Sequence, residues 1–245
     1  MNGGERSAIA CGFGDLAAGI GGLAWDIGEP GAVLLSDGEA RRATFAIEEG
    51  GDAVALEIAA GEAKLEATLA PHTTEVPLVG RGGNDPHGLT FAACVAEVRV
   101  AGGNQTFRCP GYVARWSADP TEGAGTFRQI AVERGGESFV IATAVGDPGS
   151  TAHGDERTSG WVLEGESATP FEEVLVSTQY DGSELPTRFG LELWPEDSDH
   201  TSRAAASRVS GSSLGVVEAG RASAGLFRCH TDGTEGVGSY LICRP

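Results

Sequence analysis

Two carboxylates in the chain stand beside tryptophan. Asp26 follows Trp25, and Glu192 shares a strand face with Trp194. A carboxyl group held in apolar surroundings is pushed to a higher pKa, where it can deliver a proton near neutral pH. Asp26 and Glu192 are therefore the candidate catalytic acids, although a surface carboxylate is the plainer reading of each. Aromatic rings around such an acid line an apolar cavity and shield a developing cation through their π faces. Trp25, Trp161, Tyr180, Trp194 and Tyr240 are candidates for that lining, and the same rings also read as ordinary core. Among the histidines, His72, His153 and His200 read as loop residues. His87 follows Asp85-Pro86 ahead of an apolar strand, and His230 follows Phe227-Arg228-Cys229 at a strand end. Both are placed to meet a substrate at a barrel mouth.

Other chemistries find less support. A serine nucleophile elbow needs a strand-to-helix turn, and the chain lacks the alternating helices of that fold. Gly12-Phe13-Gly14 and Gly19-Ile20-Gly21-Gly22 would need a helix behind them to cradle a pyrophosphate, but Leu23 to Ile27 reads as a strand. No two histidines are close in sequence, and the five cysteines (Cys11, Cys94, Cys109, Cys229, Cys243) form no C-x-x-C pair. Pro195 to His200 gathers acids without the spacing of a calcium loop. The residues thus call for no metal and no cofactor, and the cysteines read as reduced, partly buried thiols.

The charge balance points the same way. With 35 acidic against 17 basic residues the formal net charge is −18. That field repels phosphate backbones and anionic lipid, so neither nucleic acid nor a membrane surface is an expected partner. No apolar run is long enough for a membrane span, and Met1 to Arg6 does not read as a signal peptide. A cytoplasmic protein is expected, of open oligomeric state.

Candidate residues need elements to hold them, and the elements read as strands. Apolar residues alternate or come in short runs broken by Gly or Asp-Gly, the pattern of antiparallel strands and tight turns. Ala53 to Ile58 and Lys64 to Leu69 form one expected hairpin, turning at Ala60-Gly61-Glu62. Val174 to Tyr180 and Thr187 to Trp194 form another, turning at Asp181-Gly182-Ser183-Glu184. In its return strand Phe189, Leu191 and Leu193 share one face, while Arg188, Glu192 and Trp194 share the other.

Short matches suggest two related halves. Thr106-Phe107-Arg108-Cys109 recurs as Leu226-Phe227-Arg228-Cys229, and Leu69-Ala70-Pro71 as Leu193-Trp194-Pro195. A Gly-Tyr strand follows at Gly111-Tyr112 and again at Gly238-Ser239-Tyr240. An internal duplication with a join near Ser117 to Gly123 would divide the chain into 1–118 and 119–245. The expected fold is all-β, with two similar antiparallel lipocalin-like half-barrels packed together; a single large β-sandwich is the alternative.

The size, the two β-rich halves and the hairpin from Phe171-Glu172-Glu173 to Leu193-Trp194-Pro195 resemble the two-lobed lipocalin-like group of carotenoid hydratases, tocopherol cyclases and Diels–Alder-type cyclases. The resemblance is architectural. The nearest stretches to the hydratase His, Asp and Asn-Trp-Gly pattern are His153-Gly154-Asp155-Glu156 and Asn84-Asp85-Pro86-His87-Gly88, and neither matches it. The resemblance implies a cofactor-independent isomerase, cyclase or hydratase-type lyase acting on a hydrophobic, isoprenoid-like small molecule by acid–base catalysis. A binding protein for a lipid-like ligand, or an interaction protein with filled barrels, are the alternatives.

Overall fold

The computed structural model describes residues 8–27, 30–37, 39–72, 75–79, 88–122, 124–135, 138–147, 156–180, 186–196, 201–209 and 222–244. Every helix or strand among them is a strand. The first sheet contains β1 (Ala8–Asp15), β2 (Ile20–Asp26), β3 (Gly31–Ser36), β4 (Glu39–Gly50) and β5 (Ala53–Ala60). It continues with β6 (Ala63–Pro71), β7 (Val76–Pro77), β8 (Thr90–Val100) and β9 (Thr106–Trp116). Its order is β6-β5-β4-β3-β2-β1-β9-β8-β7, and β6 also pairs with β8, from Leu65↔Val100 to Pro71↔Cys94. That last pairing closes an eight-stranded barrel and leaves no open edge between its first and last strands.

The second sheet contains β10 (Thr126–Glu133), β11 (Phe139–Gly146), β12 (Arg157–Glu164), β13 (Ser167–Pro170) and β14 (Glu173–Tyr180). It ends with β15 (Pro186–Trp194), β16 (Ser202–Arg208), β17 (Ala222–Thr231) and β18 (Thr234–Cys243). Its order is β13-β12-β11-β10-β18-β17-β16-β15-β14. No ladder joins β12 to β14. The sheet curls until single bonds bridge them, with Thr158 Oγ1 donating to Val174 O at 2.6 Å and Phe171 N to Gly160 O at 2.9 Å. The fold is therefore two lipocalin-like lobes, one closed and one a curled half-barrel.

The strand patterns follow from what each face meets. β5 and β6 alternate buried and exposed residues because one face looks into the barrel and the other at solvent. β1, β10 and β11 are buried almost throughout, because their outer faces press against the other lobe. Both expected hairpins form: Val54 pairs with Leu69 in the first and Val174 with Leu193 in the second. The turn at Asp181 to Glu184 lies outside the described residues. A two-residue turn joins β17 to β18, where Asp232 (φ 48) and Gly233 (φ 84) supply the positive φ pair of a type I′ hairpin.

Three apolar clusters result. Ile9, Cys11, Phe13, Leu34, Leu56, Leu69 and Val113 help to fill the first lobe. Ile130, Val132, Phe189, Leu191, Phe227 and Tyr240 belong to the interior of the second. The third cluster is the seam. There Phe91 stacks on Tyr112 with centroids 5.1 Å apart, Phe139 packs on both rings, and Trp116 meets Phe127 edge-on. Hydrogen bonds also cross the seam, among them Tyr112 Oη with Ser239 Oγ at 2.7 Å and Trp161 Nε1 to Val79 O at 3.1 Å.

The two sheets share a plan in which the first strand lies between the second and the last: β1 between β2 and β9, β10 between β11 and β18. The short sequence matches do not follow that correspondence. Phe107-Arg108-Cys109 is in β9, whereas Phe227-Arg228-Cys229 is in β17, the strand before β9's counterpart. Only Gly111-Tyr112 and Gly238-Ser239-Tyr240 fall on counterpart strands.

Candidate functional site

The interior of the second lobe carries an arginine. On β10, Arg128 alternates with Phe127 and Gln129 and shares its face with Ile130 and Val132, which places it inside the lobe. Its side chain is 1% exposed and that of its partner Glu156 is 5%; the two pair through Nη2 and Oε1 at 2.7 Å. Arg128 Nη1 also donates to Tyr240 Oη at 3.3 Å and to Thr178 Oγ1 at 3.5 Å. Thr178 and Tyr240 are themselves 3.1 Å apart through their hydroxyls. Phe189 and Phe227 pack edge-on at 5.0 Å and both lie against the Tyr240 ring. A small polar network is thus set into an aromatic and aliphatic interior.

Burial and charge oppose each other here. Burial works against the charge on Arg128, but Tyr240 and Glu156 outweigh it, so its affinity for the proton rises above the usual arginine value. Burial pushes Tyr240 up to about 12, against the pull of Arg128 and the Thr178 bond. The guanidinium stays charged and the phenol stays protonated at neutral pH. The pair can donate hydrogen bonds to an oxygen that gathers negative charge.

Several donors in this interior are unspent, an arginine N–H and a serine hydroxyl among them. Arg128 Nε is buried and donates to nothing among the described residues, and the same holds for the Ser223 hydroxyl. Ser223 lies on the rung of Arg128: Arg128 pairs with Ile242, and Ile242 with Ser223. It shares its face with Phe227 and Cys229 of the lobe core, so it points inward.

Of the residues singled out from sequence, Tyr180 and Tyr240 are brought together. Tyr180, at the end of β14, interacts electrostatically with both Arg128 and Tyr240. The others are elsewhere. Asp26 ends β2 in the first lobe, half-buried, and Trp25 is buried in the seam. Trp161 is fully buried in the seam and held by its bond to Val79 O. Glu192 lies on the outer face of β15, 45% exposed and 3.7 Å from Arg203, because Leu191 and Leu193 take the inward positions. Trp194 shares that outer face, half-buried. His230 is exposed on the outer face of β17, opposite Glu235. His87 lies outside the described residues, as do His153 and His200.

Sequence reasoning passed over Arg128, Glu156, Thr178 and Ser223. Arg128 could have been found as the charged residue inside Phe127 to Val132, an otherwise apolar strand. Glu156 and Thr178 carry no comparable signal. The run Gly211-Ser212-Ser213-Leu214-Gly215 has the letters of a nucleophile elbow but lies outside the described residues. No described segment is a helix to follow it. Among the described residues no group of three or more His, Cys, Asp or Glu is placed to hold a metal, and no helix is long and apolar enough to cross a membrane.

No protein-family model and no curated sequence matches the chain. Solved structures do. A putative AttH from Nitrosomonas europaea is 11% identical, with a TM-score of 0.69 over 97% of this chain and 91% of its own. Kievitone hydratase from Nectria haematococca is also 11% identical, with a TM-score of 0.62 over 98% of this chain and 89% of its own. CghA is 9% identical, with a TM-score of 0.53 over 97% and 88%. At such identities the likeness is one of fold, and it agrees with the resemblance to the two-lobed hydratase and cyclase group: this chain has the two-lobed lipocalin-like fold along almost its whole length.

Proposed function

We propose that the chain is a cofactor-independent enzyme that binds a hydrophobic small molecule in the second lobe and polarises an oxygen on it. Isomerisation, cyclisation and hydration are the reaction types that such polarisation serves. The observation that carries the reading is the buried Arg128–Glu156–Thr178–Tyr240 network, which among the described residues only the second lobe has. Charged groups inside a lobe cost stability unless paired, and replacing them with apolar residues would usually cost nothing. A buried network retained where hydrocarbon would serve suits a site that does chemistry.

Tyr240 is the donor that touches the substrate, and Arg128 supplies the charge that stabilises the developing oxyanion. Thr178 fixes the direction of the phenol, and Glu156 holds the guanidinium in place. A phenol near pKa 12 is too weak an acid to protonate an alkene, so hydrogen-bond donation to an oxygen is the natural role for Tyr240. Asp26 and Glu192, the acids suggested by their tryptophan neighbours, stand outside this network. Phe189 and Phe227 supply the apolar wall. The buried thiols suit a reducing, cytoplasmic setting, and 1–118 and 119–245 are the corresponding lobes.

The test is native mass spectrometry of the purified protein followed by solvent extraction, with turnover then assayed on the extracted molecule. A stoichiometric apolar molecule is expected, and Tyr240→Phe should slow its conversion by about 100-fold or more while the fold is kept. An unchanged rate in that variant would remove Tyr240 from the mechanism. Binding with no conversion by the unaltered protein would make it a carrier.

A further inference from the structure

We infer that the ligand of the second lobe is a neutral carbonyl compound of the ketone or enone class, its oxygen received by Arg128 Nε and the Ser223 hydroxyl. This rests on the reading of that lobe as the binding site and goes on to the chemistry of what it binds. The first support is the donor inventory. A guanidinium has five N–H groups. In Arg128, Nη1 faces Tyr240 and Thr178 and Nη2 lies against one oxygen of Glu156, so Nε–H and one N–H of Nη2 are left over, and Nε–H is the one without a charged partner. A buried donor without an acceptor destabilises the fold, so a ligand oxygen that meets it gains what the fold has given up. Two such donors, one on Arg128 and one on Ser223, face the same interior from the same rung. Their strands are separated by β18 alone, about 10 Å between Cα atoms at ordinary strand spacing, a distance an arginine side chain largely spans.

The second support is charge. Glu156 already neutralises Arg128 inside the lobe. A carboxylate or phosphate ligand would bring a second negative charge into an interior with no further buried cation among the described residues, and an uncompensated buried charge is strongly unfavourable. An alcohol can accept these bonds, but its own O–H then needs an acceptor. The described acceptors, Thr178, Tyr240 and Glu156, are already engaged with one another or with Arg128. A carbonyl oxygen accepts these two bonds, donates nothing and adds no charge, and as electron density moves onto it a third lone pair takes the bond from Tyr240.

The experiment uses three probes with one carbon skeleton: benzylideneacetone, the allylic alcohol from its reduction, and cinnamate. Binding is measured by calorimetry to the wild-type chain and to Ser223→Ala, with the infrared C=O stretch of the bound ketone recorded in both. The ketone is expected to bind about tenfold more tightly than either analogue, with its stretch moved to lower frequency. Ser223→Ala should weaken ketone binding by about five- to tenfold and reduce that shift. The same variant should melt at a higher temperature, since it removes a buried hydroxyl that has no partner among the described residues. A residue kept only for structure would move stability the other way. Tighter binding of cinnamate, or a Ser223→Ala variant that binds the ketone as the wild type does, overturns the inference and leaves the lobe as the site. If none of the three binds and no molecule is extracted from the purified protein, the reading of the lobe fails with it.

Discussion

The two lobes can be compared rung by rung, because both place their first strand beside their last. Phe13 faces Gly111 in the first lobe as Val132 faces Gly238 in the second. Counting from those glycines, Val113 of the first lobe stands where Tyr240 stands in the second. One inward rung further, the first lobe pairs Ile9 with Arg115 and the second pairs Arg128 with Ile242. Each lobe thus has one arginine at the same height, on opposite strands of the central pair. Their surroundings differ. Arg115 is 25% exposed and bonds Glu49 at 2.7 Å and Glu75, with Thr90 donating to Glu75. Arg128 is enclosed. The first lobe is a packed hydrocarbon barrel with an ion pair at its rim, and the second carries its ion pair within. One scaffold thus carries an ion pair at the rim of one lobe and in the interior of the other, and what separates them is which side chains surround the arginine.

That contrast predicts unequal responses. The largest effect is expected from Arg128→Met, which leaves Glu156 buried without its cation. Denaturant unfolding should show a loss of about 3–5 kcal/mol, and Arg128→Met with Glu156→Gln should recover much of it. Next is the seam, where Tyr112→Phe removes the bond to Ser239 and strands that hydroxyl. A loss of about 1–3 kcal/mol is expected, with the lobes separating earlier on heating. The smallest effect belongs to Arg115→Met at the first rim. The pair is half-exposed and solvent takes over its partners, so a loss of about 1 kcal/mol or less is expected. Equal losses from Arg128→Met and Arg115→Met would erase the distinction between the lobes.

Alkali sharpens the comparison in a different way. Burial pushes Cys94 and Cys109 of the first lobe up to about 12 from an ordinary 9, and raises Cys11 further. In the second lobe burial raises Cys229, and Tyr240 from 10 to about 12. A group whose proton is held more tightly in the folded state contributes stability that is complete below its unfolded pKa. That contribution fades as pH rises through the folded value. Stability should therefore fall from about pH 9 towards 12, beginning with the thiols and most steeply in the first lobe, which holds Cys11, Cys94 and Cys109 against Cys229 in the second. Hydrogen exchange at stepped alkaline pH would show which strands open first; opening of β10 and β18 ahead of β8 and β9 would contradict the assignment.

The alternation in β5, β6 and β15 was legible in the amino-acid sequence, including Leu191 and Leu193 on one face of β15 and Glu192 on the other, but not which face turns inward, since Glu192 also read as an acid of the cavity. It was legible because the strand period ties each side chain to a face, and the composition supplied only one kind of residue for each. Tyr180 and Tyr240 were also picked out, as aromatic side chains with a polar end. Their partner Arg128 was not, because a lone arginine in an apolar strand reads equally as an edge or a rim residue, as Arg115 turns out to be. The Phe-Arg-Cys repeat misled for a related reason. A three-residue match fixes no register, and the two copies fall on strands that occupy different places in their sheets.

What the sequence determined by itself was the class of the fold and the acidic exterior, since both follow from local periodicity and from summed charge. What tertiary structure alone decided was closure of one lobe and not the other, the seam that buries the outer faces of β1 and β10, and the meeting of Arg128, Glu156, Thr178 and Tyr240. Those residues are separated by up to 112 positions. Only the pairing of distant strands can place them within hydrogen-bond reach, and that pairing is set by which faces can be buried together.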